Sequence, residues 1–201
     1  MKRPLSFLPV ILVACASCSS GPPRSIYSLS APVDTAAGIS NVTARPAIEL
    51  QRVSVPDYLD TTDIILRTRG NELKVSATGR WAERLSEGLN HALMADLVVR
   101  LPGDQITAAP PNRRMERQIL VTIEAFDIEP DRRCVLTAAW TVLDKTNGAV
   151  LVSERGAFIA PIEQSSGSVR DAGIVSAMAV ATGELADGIA AAVIKLPISA
   201  P

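Results

Sequence analysis

Aromatic side chains are scarce in this chain: three Phe, two Trp and two Tyr make up 3% of 201 residues. That scarcity argues against a stacking platform for nucleic-acid bases. Charge of one sign is also missing. Twenty Lys and Arg balance twenty-one Asp and Glu, for a formal net charge of -1. The chain therefore has no basic footprint for nucleic acid and no acidic tail. Histidine occurs once, at His91, and cysteine three times, at Cys15, Cys18 and Cys134. One His and one Cys in the body of the chain are too few for a zinc site. Glycine-rich phosphate loops and the Gly-x-Ser-x-Gly elbow are absent as well. A Ser-His-Asp arrangement would have to use His91, which sits beside an apolar helical stripe and reads as structural. No cofactor is expected.

What is there begins at the N-terminus. Met1, Lys2 and Arg3 open the chain, Leu5 to Val13 is uncharged and mostly apolar, and Leu12-Val13-Ala14-Cys15 follows. A basic start, a short apolar middle and small residues at the end are the layout of a secretory signal. The run is too short to span a bilayer, which takes about 20 apolar residues. The Cys at its end resembles the lipobox of bacterial lipoproteins, which implies cleavage before the cysteine and lipid attachment to it. Cys15, with Leu12 and Ala14 before it, fits best, and Cys18 is the alternative. The following residue is Ala16 or Ser19 rather than Asp, which resembles lipoproteins sorted to the outer membrane. Residues 1–14 are thus expected to be the signal, 15–45 a lipidated, Ser/Pro/Ala/Gly-rich tether, and 46–197 the domain. Ile26-Tyr27-Ser28-Leu29 interrupts the tether and suggests a short strand or a docked segment.

About 150 residues remain for one domain with a core of its own. Ile48 to Val55 reads as a strand closed by Pro56. Ile64 to Arg69 and Leu73 to Ser76 flank Gly70-Asn71 as a hairpin. The period then changes: Trp81, Leu85, Leu89, Leu93 and Leu97 recur every fourth residue, an apolar helical stripe ending at Pro102-Gly103. In Gln118 to Ile128, Ile119, Val121, Ile123 and Ala125 alternate with Leu120, Thr122, Glu124 and Phe126. Cys134 to Leu143 and Val150 to Ala160 continue an antiparallel meander through Asn147-Gly148. A helix from Ser168 to Leu196 closes the chain, with capping-box spacing from Ser168 to Asp171. Glu184 and Asp187 argue against its spanning a membrane. The order predicts an α+β fold, a mainly antiparallel sheet covered on one face by two helices. Cys134 is expected to be buried and unpaired, although a disulfide to the tether thiol is open to it. Glu124, Asp127 and Glu129 read as a solvated edge, and Arg113-Arg114 and Arg132-Arg133 as solvated loops.

Several motifs together resemble one family: Val55-Pro56-Asp57-Tyr58-Leu59-Asp60, Ile64-Ile65-Leu66-Arg67, Arg80-Trp81-Ala82-Glu83-Arg84-Leu85, the Tyr27-Ser28-Leu29 element, Ala138-Ala139-Trp140 and Leu185-Ala186-Asp187-Gly188-Ile189-Ala190. These are similar to the ABC-type transport auxiliary lipoprotein family, also called the paraquat-inducible protein C family. The family often has Pro after Trp-Ala-Glu, where Arg84 stands here. The resemblance implies a non-enzymatic lipoprotein on the periplasmic face of the outer membrane, serving an envelope lipid-transport system. It implies as partners an MCE-type (mammalian cell entry) protein that bridges the periplasm, its ABC permease and ATPase, and further copies of the chain. A Tyr58-Leu59 loop after Pro56 is a possible partner contact, since aromatic residues are enriched at interface hot spots; Tyr58 packed into its own domain is the other reading. The competing classes are an envelope-assembly lipoprotein of the lipopolysaccharide or pilus type, and a lipoprotein enzyme.

Overall fold

The computed structural model describes residues 24–29, 47–108, 115–163 and 169–197. Along the chain run β1 (Ser25–Tyr27), β2 (Ala47–Leu50), β3 (Asp63–Arg67), β4 (Leu73–Trp81), α1 (Leu85–Arg100), β5 (Gln105–Thr107), β6 (Arg117–Ile128), β7 (Arg133–Asp144), β8 (Val150–Pro161) and α2 (Val169–Ile194). The strands form a five-stranded sheet of order β5-β2-β6-β7-β8 and a three-stranded sheet of order β1-β4-β3. The class is α+β, as expected, but the single, mainly antiparallel sheet is corrected to two mixed sheets. β2 pairs in parallel with both β5 and β6. Parallel neighbours need a long crossover, and β3, β4 and α1 supply it between β2 and β5. β5 has only three residues, too few to show a period, so the sequence pattern gave no sign of it.

The meander forms for the expected reason. The Asp144 carbonyl accepts the Gly148 amide at 2.8 Å, and Gly148 takes φ 73°. That left-handed conformation favours glycine. Strict alternation along β6, however, is broken. The β6–β7 register shifts between Ile123 and Ala125. Before the bulge Ile119, Val121 and Ile123 face the core; after it Phe126 and Ile128 do. Ala125 and Phe126 therefore exchange the faces that alternation assigns them. One extra residue in a strand turns every later side chain over, and here it buries the largest side chain of the strand.

Trp81 does not belong to the first helix. It ends β4, and its amide donates to the Thr62 carbonyl at 2.8 Å. Arg84 at the cap is still extended, with ψ 147°. The four-residue step from Trp81 to Leu85 imitates helical spacing across a strand–helix junction. From Leu85 onward the stripe holds: Leu85, Leu89, Leu93 and Leu97 are buried. The first strand stops at Leu50 rather than Val55, although Ser54 still bridges Thr122 on β6. The segment within the tether is part of the fold. β1 pairs in parallel with β4, and Leu29 lies in the core.

α1 and α2 pack together, and α2 also lies on β7 and β8. By length and composition α2 could cross a membrane, but more than half of it is buried inside the protein. Ile174, Met178, Ala181, Leu185, Ile189 and Val193 form its inner side. At Gly188 the helix lies against the Trp140 ring, where a Cβ would stand at an ordinary contact distance of 3.4 Å. Ser168 lies outside the described residues. Its capping-box counterpart Asp171 is buried and accepts hydrogen bonds from the Ser76 hydroxyl at 2.9 Å and the Thr78 hydroxyl. This ties the start of α2 to the small sheet. A Cβ on Gly79 would stand 2.9 Å from that carboxylate, so glycine is needed for the close approach.

Leu89 is fully buried at the centre of α1. Leu89→Ala should cost about 2–5 kcal/mol, read as a lower midpoint in urea unfolding. An unchanged midpoint would place the α1 stripe against solvent.

Candidate functional site

The loop between β2 and β3 is built from its Pro-x-Tyr-Leu-Asp segment. The amides of Leu59 and Asp60 both donate to the Pro56 carbonyl, at 2.9 and 3.1 Å. This tight turn points consecutive side chains in different directions. Leu59, only 3% exposed, enters the core. Of the Tyr58-Leu59 pair expected at the surface, Leu59 is the apolar peg that seats the loop. Tyr58 is 42% exposed.

Asp60 turns to the start of α1. Helix N-termini leave amides without partners, and Arg84 at the cap offers no side-chain hydrogen bond. Asp60 Oδ1 accepts the Ser86 amide at 3.2 Å instead. Its Oδ2 accepts Arg84 Nη1 at 3.0 Å. A carboxylate from a remote loop thus does the work of an N-cap. Burial opposes its ionisation, but the Ser86 hydrogen bonds and the Arg84 guanidinium outweigh that and hold the carboxyl below its ordinary value. The two motifs, Pro-x-Tyr-Leu-Asp and Arg-Trp-Ala-Glu-Arg, therefore meet through Asp60 and Arg84.

Tyr58 lies beside an ion pair. Arg67 Nη2 donates to Asp127 Oδ1 at 2.8 Å, and both side chains are largely shielded. Burial, then the Asp127 charge, raises the Tyr58 phenol above its ordinary value, with Arg67 opposing. The phenol therefore stays neutral at physiological pH. Asp127 is not on a solvated edge as expected. Glu124 and Glu129 are also engaged, by Arg155 and by Arg133 at 2.7 and 2.8 Å. Alternating acids along β6 look solvated until β3 and β8 bring arginines to them. Arg67 was present in the motif, but only the fold gives it a role.

The other candidates separate. His91 is exposed, and its Nδ1 faces Glu83 Oε1 at 3.2 Å. Among the described residues no cluster of His, Cys, Asp or Glu could hold a metal ion. Cys134 is buried and free. Burial, with the Asp127 charge in second place, pushes its thiol up to about 12, so it has little thiolate for chemistry. Arg133 is paired with Asp131 and Glu129 in its turn. Arg117, on β6, is buried and donates to the Pro197 carbonyl just past α2. Cys15, Cys18 and Arg113-Arg114 lie outside the described residues.

A family model described as the ABC-type transport auxiliary lipoprotein component matches residues 27–190. The chain belongs to that family. The match starts at Tyr27, within β1, and ends in α2. The chain is 25% identical over 125 residues to the intermembrane transport lipoprotein PqiC of Escherichia coli K12, and equally to that of Shigella flexneri. The alignment covers 62% of this chain and 66% of those relatives, slightly less than two thirds of their length. Two crystal structures share the fold. One, of an uncharacterized protein, has a TM-score of 0.70 at 19% identity and covers 86% of this chain and 99% of its own. The other, from Xanthomonas campestris, has a TM-score of 0.58 at 14% identity and covers 83% and 90%. The Tyr58 loop and the start of α1 that Asp60 holds both lie within the matched residues.

Asp60→Ala should cost about 0.5–2 kcal/mol near neutral pH, the usual range for a lost N-cap. The Asp60 carboxyl is held low in the fold, so its contribution is full above the ordinary carboxylate range and fades as pH falls through its folded value. Urea unfolding of both proteins over a pH series should show their difference closing in acid. A difference independent of pH would leave the carboxylate charge without a role.

Proposed function

We propose that this protein is a lipid-anchored accessory of an ABC-type system that moves lipids across the cell envelope. In this reading it stands on the periplasmic face of the outer membrane, attached through Cys15. There several copies receive an MCE-type protein that bridges the periplasm from its permease and ATPase. The family match over residues 27–190 carries the proposal. The name of the relatives, intermembrane transport lipoprotein, supports transport between membranes. The lipobox before Cys15 and the absence of Asp after it support the outer membrane. The architecture is suited to docking: a tether, one small domain, and an exposed Tyr58 whose loop is fixed by Leu59 inside and Asp60 on α1. An aromatic side chain held rigidly costs little conformational freedom on binding and favours hot spots.

Co-purification of the tagged full-length lipoprotein from detergent-solubilised envelopes tests this. An MCE-type protein or its permease should be recovered. Tyr58→Ala should reduce that recovery several-fold with an unchanged unfolding midpoint. Reproducible recovery of a lipopolysaccharide- or pilus-assembly machine, with no MCE-type protein, would contradict the proposal.

A further inference from the structure

The tether enters the fold at β1, not at the domain boundary that composition suggests. Arg24 reaches Asp63 at 3.4 Å, and Ser25, Ile26 and Tyr27 pair with Gly79, Arg80 and Trp81. The Ala82 amide donates to the Tyr27 carbonyl at 2.8 Å, and Leu29 is buried beyond it. The chain is thus clamped to the small sheet only nine residues after Cys15. Fully extended, nine residues reach about 32 Å. If Cys18 carries the lipid, six residues reach about 22 Å. A domain of this size has a radius of gyration of about 15 Å, so a path over half its circumference is about 60 Å. The tether is too short to pass around the domain. The side that carries β1 must therefore face the membrane.

That side has the chemistry for lipid. On the outward row set by the strand register, Ile26 stands next to Arg80 and is 68% exposed. Further along β4, Val75 is 47% exposed and Leu73 37%. Arg69 in the β3–β4 turn and Arg80 are exposed and make no ion pair among the described residues. Arg69 and Arg80 are the excess positive charges here, since Asp63 takes Arg24, Glu72 takes Lys74 and Asp127 takes Arg67. A positive, partly apolar surface lies on a chain whose net charge is -1. We infer that the outer face of the β1-β4-β3 sheet rests on the phospholipid surface of the membrane that holds the lipid anchor. Arg69 and Arg80 meet anionic headgroups, and Ile26, Leu73 and Val75 meet the interface below them. Tyr58, next to Arg67 on β3, then lies at the rim of this face, and α2, tied through Asp171 to Ser76, lies behind it. The inference rests on the lipid-anchor reading above.

Photo-crosslinking in cells tests it with the full-length chain. A benzophenone amino acid replaces Ile26, Val75 or Leu151, one at a time. Leu151 is exposed on β8, outside the small sheet. Phospholipid adducts should form from positions 26 and 75 and scarcely from 151. Arg69→Glu combined with Arg80→Glu, both exposed and unpaired, should lower the adduct at 26 several-fold at an unchanged unfolding midpoint. Equal lipid adducts at 151, none at 26 and 75, or adducts from 26 to a second copy or another protein would each overturn the orientation. Palmitate labelling of the same cells separates the two claims. A protein without label loses the anchor itself, whereas a labelled protein with the wrong adduct pattern loses only this face.

Discussion

Two helices share one face of the five-stranded sheet, and their joint burial is the constraint on which everything else depends. The inner side of β6 and β7 is a continuous apolar surface from Ile119 to Val142. Leu89, Leu93 and Leu97 of α1 and Leu185 and Ile189 of α2 close over it. With so few aromatics, volume comes from aliphatic side chains and from close approach. Trp140 and Phe158, ring centroids 6.2 Å apart, fill the space under α2, and Gly156 makes room for the Phe158 ring, which a Cβ would meet at 3.1 Å. Apolar burial is non-directional, so it cannot alone fix how the peripheral pieces sit. Charged hydrogen bonds do that at its edges. Asp60 fastens the Tyr58 loop to α1, and Asp171 fastens α2 to β4.

The parts of the fold legible in sequence were those whose signal is local and periodic. The α1 stripe from Leu85 to Leu97, the meander through Asn147-Gly148 and the length of α2 follow from spacing alone. What was not legible depends on contacts between distant segments. Trp81 carries the right spacing for a helix and the backbone of a strand. Ala125 and Phe126 change faces because of one bulge that no composition rule announces. β5 exists only because β2 offers it an edge. At the candidate site, Leu59 looked like part of a surface because it adjoins Tyr58, yet the turn at Pro56 sends the two side chains opposite ways. Arg67 and Asp127 lie sixty residues apart, and nothing local pairs them.

Function follows from where the domain is held and what it leaves exposed. Cys134 is sealed, and His91 is exposed with its Nδ1 on Glu83. The exposed features include a firmly seated Tyr58 and a basic, partly apolar sheet face at β1. Both suit a part that positions other molecules at a membrane. The early clamp at β1 gives that arrangement its geometry. A tether released only at Ala47 would let the domain turn freely, whereas one caught at Ser25 would, in the proposed arrangement, hold one side of the domain toward the lipid with Tyr58 at its rim.

Attachment to the membrane is the central claim, and the mass of the N-terminal peptide of the mature protein tests it most directly. That peptide should begin at Cys15 and carry a diacylglyceryl group with its acyl chains. A mature protein whose N-terminal peptide carries no lipid would contradict it.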